Sequence, residues 1–190
     1  DVLQQFGYSP DIETLLGFEE ADHFRSYSLE INFSVSTNVH FLGALRNHEH
    51  KIDHPLVQKA IQYIRKTQID ETFWFDKWHI SPYYTTAHTI IVCSGYHNDI
   101  IKKSVEWLLN TQNKDGSWGF YSVPTAEETA YALQALAIWK KNGGSVDKNI
   151  LIKGLDWLNE HSEPQYPQLW IAKSLNHSEW IIQAEILSAK

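Results

Sequence analysis

In the stretch Gln112-Asn113-Lys114-Asp115-Gly116-Ser117-Trp118-Gly119, a glutamine stands before a tight turn and a tryptophan follows it. Asp115 can accept hydrogen bonds inside the turn, and Gly116 can take the left-handed backbone conformation that such a turn needs. Trp118 can plug the adjacent space, while Gln112 ends one helix and can hydrogen-bond to the next turn. We predict that this unit is structural and holds neighbouring helical hairpins together.

The sequence on both sides of this turn repeats with a period of roughly 45 residues. One kind of segment has apolar residues at helical spacing and an aromatic residue at a constant position; its members are 56–64 with Tyr63, 100–108 with Trp107, and 150–158 with Trp157. A second kind alternates with it and includes small residues; its members are 37–45, 86–91, 129–136 and 180–187. Small side chains allow close helix packing, which suits the inner ring of a barrel.

Helix-breaking residues separate these segments, and alternating β-patterns are nearly absent. We therefore predict an all-α fold, an α/α barrel (toroid) of repeated helical hairpins, with residues 1–190 as a single domain. About four hairpins fit in the chain, whereas a closed six-hairpin barrel at this period needs on the order of 270 residues. The barrel is expected to be incomplete here, and residues 1–7, which look like the end of a helix, agree with that expectation.

Composition excludes several classes of protein. The net charge is −7 and there is no basic tract, which argues against a nucleic-acid partner. No apolar run approaches the roughly 18 residues of a membrane span, and no signal peptide is evident, so a cytoplasmic location is the simplest expectation. The single cysteine, Cys93, lies in an apolar run and is expected to be a small buried residue.

Four more stretches, taken with the turn at 112–119, suggest a family. They are Phe18-Glu19-Glu20 through Ser34-Val35-Ser36-Thr37-Asn38-Val39-His40 to Arg46, then Asp76 to His88, then Thr125-Ala126-Glu127-Glu128-Thr129-Ala130-Tyr131, and finally Leu169 to Leu175. In this order they resemble bacterial class II diterpene cyclases of the copalyl or halimadienyl diphosphate synthase type. The turn itself is similar to the QW motif of the wider squalene-hopene and triterpene cyclase superfamily.

The resemblance implies an activity for the full-length protein. Such enzymes are isomerases that protonate the terminal alkene of geranylgeranyl diphosphate, close it to a bicyclic cation, and lose a proton while keeping the diphosphate. Their pocket lies between two α-barrel domains, usually with Mg²⁺ near the diphosphate, and no Mg²⁺ site is identified in this chain. The same resemblance matches Lys173 to a lysine that could meet the diphosphate as a point charge; a surface lysine is the alternative.

The acid of this family, an aspartate in a D-x-D-D motif, is missing from the sequence. The adjacent carboxylates Glu127 and Glu128 do not replace it, because neighbouring residues on a helix point to different sides. In the family the acid lies shortly before the stretch that begins at Phe18. Either it belongs to a part of the same protein that precedes Asp1, or the protein lacks it. No catalytic residue is assigned in this chain, and the chain alone is expected to be inactive.

A cationic intermediate needs electron-rich ring faces, each worth roughly 0.5–2 kcal/mol, and a site closed to water. The aromatic and histidine-rich segment 78–88 could supply both, with core filling as the alternative. Asn38 and His40 could orient an aspartate or a water, with a helix cap formed by Thr37 and Asn38 as the alternative. The predicted pocket residues are Trp78, His79, Tyr83, Tyr84, Thr86, His88, Asn38, His40 and Tyr131.

Other patterns have structural interpretations. Thr125 and Glu128 form a capping-box pattern, and His48, His50 and His54 fit a solvated turn rather than a metal site. Two further functions stay open: a non-catalytic toroid of the same lineage that binds a lipid or a protein, and a triterpene or sesquiterpene cyclase relative. A prenyltransferase-like zinc site is disfavoured, because Cys93 has no matching Asp and His partners.

Overall fold

Helices account for most of the structure, a computed structural model that describes residues 12–190. The predicted helix end at residues 1–7 lies outside the described residues. The elements are α1 (Ile12–Leu16), α2 (Val35–Asn47), α3 (Pro55–Lys66), α4 (Pro82–Cys93), a 3₁₀ turn (Asn98–Ile100), α5 (Lys102–Asn110), α6 (Ala126–Lys141), α7 (Lys148–Glu160), β1 (Trp170–Ile171), β2 (Leu175–Asn176) and α8 (Glu179–Ala189).

The helices form two layers, as the two kinds of repeated segment predict. The inner helices are α2, α4, α6 and α8, and each packs against the next. The outer helices are α3, α5 and α7, which pack on the backs of the inner ones. α4 and α6 are buried on most sides, whereas the outer helices bury one face. This difference is the one expected between a helix surrounded by protein and an amphipathic surface helix.

The inner helices start at side-chain caps that the sequence marks. Ser34, Ser81 and Thr125 each accept a hydrogen bond from a backbone N–H in the first turn of α2, α4 and α6. Pro82 occupies the first position of α4, where its missing N–H is not needed. These starts bring the first turns of consecutive inner helices to the same side of the layer.

Two tryptophans one repeat apart make the same contacts. Trp118 is fully buried; its backbone N–H donates to Thr129 Oγ1 at 3.0 Å and its indole N–H to the Leu108 carbonyl at 2.8 Å. Trp74 makes the matching bonds to Thr86 Oγ1 at 3.1 Å and to the Ile64 carbonyl at 2.7 Å. The repeat is therefore one of contacts as well as of sequence.

Two glutamines link consecutive outer helices. Gln112 follows α5 and donates to the carbonyl of Ile150 near the start of α7, at 2.9 Å, and to that of Gly116, also at 2.9 Å. Gln68 follows α3 and donates to the Ile100 carbonyl just before α5, at 3.1 Å. In both cases an amide satisfies a carbonyl at the start of the next outer helix and joins the two hairpins.

The turn at 112–119 lies tightly against α7. Asp115 Oδ1 accepts from the backbone N–H and the hydroxyl of Ser117, at 3.1 and 2.7 Å. Gly116 has a φ of 99°, and a Cβ there would lie 2.4 Å from the Lys153 carbonyl oxygen. A Cβ on Gly154 would in turn meet Leu133 and Trp118 at 2.8 Å. Both glycines thus allow the backbone of α7 to approach the turn.

A short β-hairpin is the main difference from the sequence prediction. β1 and β2 pair antiparallel, with Trp170 opposite Asn176, and the segment 78–80 extends the pairing. Ile171 donates to the Trp78 carbonyl at 2.8 Å, and Ile80 donates to that of Leu169 at 2.9 Å. Strands of two residues carry no visible alternation in sequence, so only the long-range pairing reveals them.

None of the helices in the described part of the chain combines the length and apolarity needed to cross a membrane.

Candidate active site

Five rings gather at the first turns of the inner helices, beneath the β-hairpin. We call this set, His79, Tyr84, His88, Tyr131 and Trp170, the aromatic cluster. Tyr84 is at its centre, with ring centroids 5.0 Å from His79, 4.7 Å from His88, 5.6 Å from Tyr131 and 5.1 Å from Trp170. Its members come from the loop before α4, from α4, from α6 and from β1, so the cluster exists only when these elements are assembled.

One carboxylate joins three members of the cluster. Oε1 of Glu127 accepts from the indole N–H of Trp170 at 2.8 Å and from the hydroxyl of Tyr131 at 3.1 Å, and Nε2 of His79 lies 3.4 Å away. Glu127 is fully buried, and its second oxygen, Oε2, is buried without a hydrogen-bond partner. One oxygen of this carboxylate, Oε1, therefore accepts its hydrogen bonds.

His79 is held on both ring nitrogens. Its Nδ1 lies 3.1 Å from the backbone N–H of Ser81, which can donate to it, while Nε2 faces Glu127. Nδ1 also lies 3.1 Å from the Ser81 carbonyl oxygen. Contacts on both sides of the imidazole therefore fix the position of the ring.

The remaining rings are held in uncharged forms at neutral pH. Burial lowers the pKa of His88 and raises the pKa of Tyr84 to about 12. His40 lies at the edge of the cluster, 5.2 Å from His88, with its side chain exposed. Enough protein surrounds it that desolvation, together with His88, lowers its pKa to about 4. The His40 and His88 imidazoles and the Tyr84 ring are therefore uncharged at neutral pH and do not repel a cation.

Trp78 points away from the cluster, because successive residues of an extended segment alternate in direction. The ammonium of Lys77 lies 4.6 Å from the Trp78 ring and 4.9 Å from the Tyr27 ring. Lys77 also forms an ion pair with the buried Glu30. Trp78 thus belongs to a second group that fastens the loop before α2 to the loop before α4.

Three other predicted pocket residues make contacts within the helical wall. Asn38 is fully buried; its amide accepts from the Phe24 N–H and donates to the Phe24 carbonyl, both at 2.8 Å. Thr86 accepts the Trp74 N–H described above. Tyr83 stacks on Trp107 of α5, with centroids 4.7 Å apart, on the side of α4 that faces the outer layer. Their hydrogen bonds and packing join secondary-structure elements.

A carboxylate that the sequence did not single out fixes the start of α2. Asp76 is buried and accepts from the hydroxyls of Ser34 and Ser36, at 2.9 and 3.0 Å, and from the backbone N–H groups of Ser36 and Trp78, at 3.0 and 3.1 Å. Four donors compensate the charge that burial would otherwise penalise. Asp76 ties α2 to the loop that carries Trp78 and His79.

The neighbours Glu127 and Glu128 point to different sides of α6, as the sequence predicts. Glu128 accepts from Ser81 Oγ at 2.5 Å, from the Phe120 N–H at 3.0 Å and from Thr125 Oγ1 at 2.9 Å. Its own N–H donates to Thr125 Oγ1 at 3.0 Å, which is one half of the predicted capping box. The other half is not formed, because the Thr125 N–H donates to the Trp118 carbonyl instead of to the Glu128 carboxylate. Burial raises the Glu128 pKa despite these hydrogen bonds.

Lys173 lies in the turn between β1 and β2, with its side chain exposed. The same hairpin carries Trp170 of the aromatic cluster on β1. Among residues 12–190, no three His, Cys, Asp or Glu side chains are grouped so that they could hold a metal ion. Mg²⁺, which the resemblance implies for the full-length enzyme, therefore has no site assigned among the described residues.

Sequence reasoning missed the functions of Glu127 and Trp170 in this site. Glu127 and Tyr131 are four residues apart on α6, a spacing that places both on one face, and this signal could have linked them. Trp170 carried no such signal, because its partners His79 and Glu127 are distant in sequence. Long-range pairing of β1 with the segment 78–80 brings it to the site.

The geometry can be compared with known proteins. A sequence model of the family described as "Squalene-hopene cyclase C-terminal domain" matches residues 32–178. The chain belongs to this family. The chain is also 48% identical, over 191 residues, to the type B diterpene cyclase of Mycobacterium tuberculosis strain H37Rv, and it is 32% identical to the copalyl diphosphate synthase of Streptomyces anulatus. These relatives agree with the resemblance to bacterial class II diterpene cyclases.

The fold is that of a solved relative. The ent-copalyl diphosphate synthase from Streptomyces platensis superposes with a TM-score of 0.88 at 30% identity, over 98% of this chain and 38% of the relative. The two sequence matches cover 100% and 97% of this chain but only 38% and 35% of the relatives. The chain thus spans little more than a third of the length of these relatives.

Proposed function

We propose that this chain is part of a class II diterpene cyclase that converts geranylgeranyl diphosphate to a bicyclic diterpenyl diphosphate. The observation that carries the proposal is the aromatic cluster at the first turns of the inner helices. Its rings are closely spaced and mostly buried. The names of the diterpene cyclase relatives support the substrate class.

The residues of this chain would form the pocket wall. The faces of Tyr84 and Trp170 would attract the positive charge that migrates through the closing rings, at roughly 0.5–2 kcal/mol each. The hairpin that holds Trp170 would exclude water, which otherwise quenches a carbocation. His40 and His88 stay uncharged at neutral pH because their pKa values are lowered, so they add polar atoms without repelling the cation.

The initiating proton would come from the rest of the polypeptide, since no D-x-D-D sequence is present in this chain. Apolar side chains exposed on α8, Trp180 at 81% and Leu187 at 73%, would contact that remaining part. Lys173, exposed in the turn between β1 and β2, would meet the diphosphate as a point charge. The full-length enzyme would use Mg²⁺, although none of the steps proposed for these residues involves it.

The full-length protein, incubated with geranylgeranyl diphosphate and Mg²⁺, should yield a bicyclic alcohol after the product is dephosphorylated. Recovery of unchanged geranylgeraniol, with a folded protein, would contradict the proposal and favour a non-catalytic toroid. Cyclisation of squalene or of farnesyl diphosphate instead would favour a triterpene or sesquiterpene cyclase.

A cytoplasmic location is expected, because a diphosphate is too polar to cross a membrane unaided.

The 190-residue chain alone should show no turnover under the same conditions, because the acid motif is missing from it. Adding the rest of the polypeptide as a separate chain, where the two parts assemble, should restore product. Turnover by the 190-residue chain alone would contradict this prediction and would require a different acid within it.

A further inference from the structure

Glu127 differs from the other buried carboxylates in what it touches. Asp76 and Glu128 accept from backbone N–H groups and from Ser or Thr hydroxyls at helix starts. Glu127 Oε1 instead faces the polar atoms of three rings: the Trp170 indole N–H, the Tyr131 hydroxyl and His79 Nε2. These rings stand on β1, on α6 and on the loop before α4. No other single side chain described here links the three walls of the cluster in this way.

Glu127 is enclosed together with the rings that it contacts. Its side chain is fully buried, as are His79 and Tyr131, and the oxygen that bears its hydrogen bonds is already surrounded by donors. Its second oxygen is buried with no partner. These contacts favour an action of Glu127 on the reaction through the rings that it holds.

The three rings have few other polar anchors. The indole N–H of Trp170 and the hydroxyl of Tyr131 both donate to Glu127. Trp170 sits on a strand of two residues that is paired only with β2 and the segment 78–80. Loss of the carboxylate would leave a large ring on a short strand free to rotate about its side-chain bonds. A pocket wall that moves allows the flexible prenyl chain of the substrate to bind in more than one conformation.

We propose that Glu127 is a positioning residue that fixes the Trp170, Tyr131 and His79 rings and thereby determines the ratio of cyclised products. The proposal rests on the proposed function, because the products are those of the cyclase. It differs from a role as base, since positioning needs an acceptor oxygen at Oε1 and does not need a negative charge.

Two substitutions in the full-length protein separate these roles. Glu127→Gln keeps an acceptor oxygen for the three donors and removes the charge, whereas Glu127→Leu removes the acceptor. Trp170→Phe removes one donor while keeping a ring. Glu160→Gln, at an exposed position on the outer helix α7, is the matched control. Each variant is incubated with geranylgeranyl diphosphate, and the dephosphorylated products are separated and quantified.

Glu127→Leu and Trp170→Phe should each raise the share of minor products at least threefold relative to the wild type, with a larger change in kcat than in KM. Glu127→Gln and Glu160→Gln should keep the wild-type ratio within twofold. A folded Glu127→Leu variant with the wild-type ratio would overturn the proposal. So would a Glu127→Gln variant that is as altered as Glu127→Leu, since the charge would then be the requirement.

A second measurement does not depend on turnover. In ¹H–¹⁵N spectra, the indole N–H signal of Trp170, assigned by its loss in Trp170→Phe, should shift and lose protection from exchange in Glu127→Leu but not in Glu127→Gln. An unchanged signal in Glu127→Leu would overturn the positioning role, and this measurement does not require the variant to be active. Absence of cyclised product from the wild type would contradict the proposed function alone, and the spectra would still decide whether Glu127 holds the ring.

Discussion

At the scale of single residues, the domain satisfies buried charge mainly with hydrogen bonds. Asp76 has four donors and Glu128 has three, and neither has a Lys or Arg partner among the described ion pairs. The cost of burying such a carboxylate depends on its donors, because removing one donor leaves part of the buried carboxylate without a hydrogen bond. Residues that look like interchangeable serines and threonines in the sequence therefore matter for stability.

Gly116 provides the first prediction. Gly116→Ala should lower the free energy of unfolding by about 2–5 kcal/mol, because a left-handed conformation costs about 1–2 kcal/mol and the overpacking against Lys153 about 1–3 kcal/mol more. Gly143 has a similar φ, 91°, with no atom near its would-be Cβ. Gly143→Ala should lose only about 1–2 kcal/mol. Urea unfolding measures both, and equal losses would contradict the packing contribution.

Glu185 on α8 should make stability depend on pH. Burial, and then the neighbouring charge of Glu127, raise the pKa of Glu185 above its ordinary value near 4.5, although a hydrogen bond from Gln134 opposes the shift. The folded state binds this proton more tightly than the unfolded state does. Its stabilising contribution is therefore complete below about pH 4.5 and is lost as the pH rises through the raised pKa.

Glu185→Gln mimics the protonated side chain and should remove that dependence. Relative to the wild type, its free energy of unfolding should become larger, and the variant therefore more stable, as the pH rises from about 4 to about 8; urea unfolding at several pH values measures this difference. Glu160→Gln, at an exposed position, serves as the control and should show no such trend. A difference that moves the opposite way would mean that the ionised form is the one stabilised.

At the scale of elements, helix starts determine where the site residues stand. Three inner helices begin at Ser34, Ser81 and Thr125, and the residues of the aromatic cluster lie within two turns of these starts or in the strands above them. A shift of one residue in a start would rotate each following side chain by about 100°. The caps therefore matter for the site as well as for helix stability.

Thr125→Ala tests a cap. It removes the acceptor for the Glu128 N–H and the donor to the Glu128 carboxylate. We expect a loss of about 1–2 kcal/mol, at the upper end for an N-cap because the carboxylate is buried. Thr125→Ser keeps the hydroxyl and should lose less than about 1 kcal/mol, the value of one methyl group. Chemical denaturation compares the two, and equal losses would assign the effect to the methyl group instead.

At the scale of the whole molecule, the inner and outer layers protect the single cysteine. Cys93 ends α4 and is fully buried, and burial raises the pKa of its thiol to about 12. The thiolate is the reactive form, so both access and ionisation oppose labelling of the native protein. Its reaction should therefore report on opening of the two layers.

At pH 8, a thiol reagent such as dithionitrobenzoate should react with native protein at least about a thousandfold more slowly than with protein in guanidinium chloride, given an ordinary domain stability. One thiol per chain should react after unfolding. Cys93→Ala supplies the blank. Rapid reaction of the native protein would contradict burial of Cys93 and would indicate local opening at the end of α4.

The sequence alone determined the helical hairpins, their alternation in two layers and the turn at 112–119, because helical spacing, caps and glycine conformations are local properties. It also placed His79, Tyr84, His88 and Tyr131 in one candidate site, where the structure brings them together. The treatment of residues 1–190 as a single domain stays a prediction.

Only the tertiary structure decided which side chains face one another. Tyr83 and Thr86 are close in sequence to the cluster residues Tyr84 and His88, yet they pack into the helical wall. The reason is that each step along a helix rotates the side-chain direction by about 100°. Trp78 and His79 diverge because an extended segment alternates. Glu127 and Trp170 meet across 43 residues through β-pairing at 78–80, and no local pattern encodes that pairing.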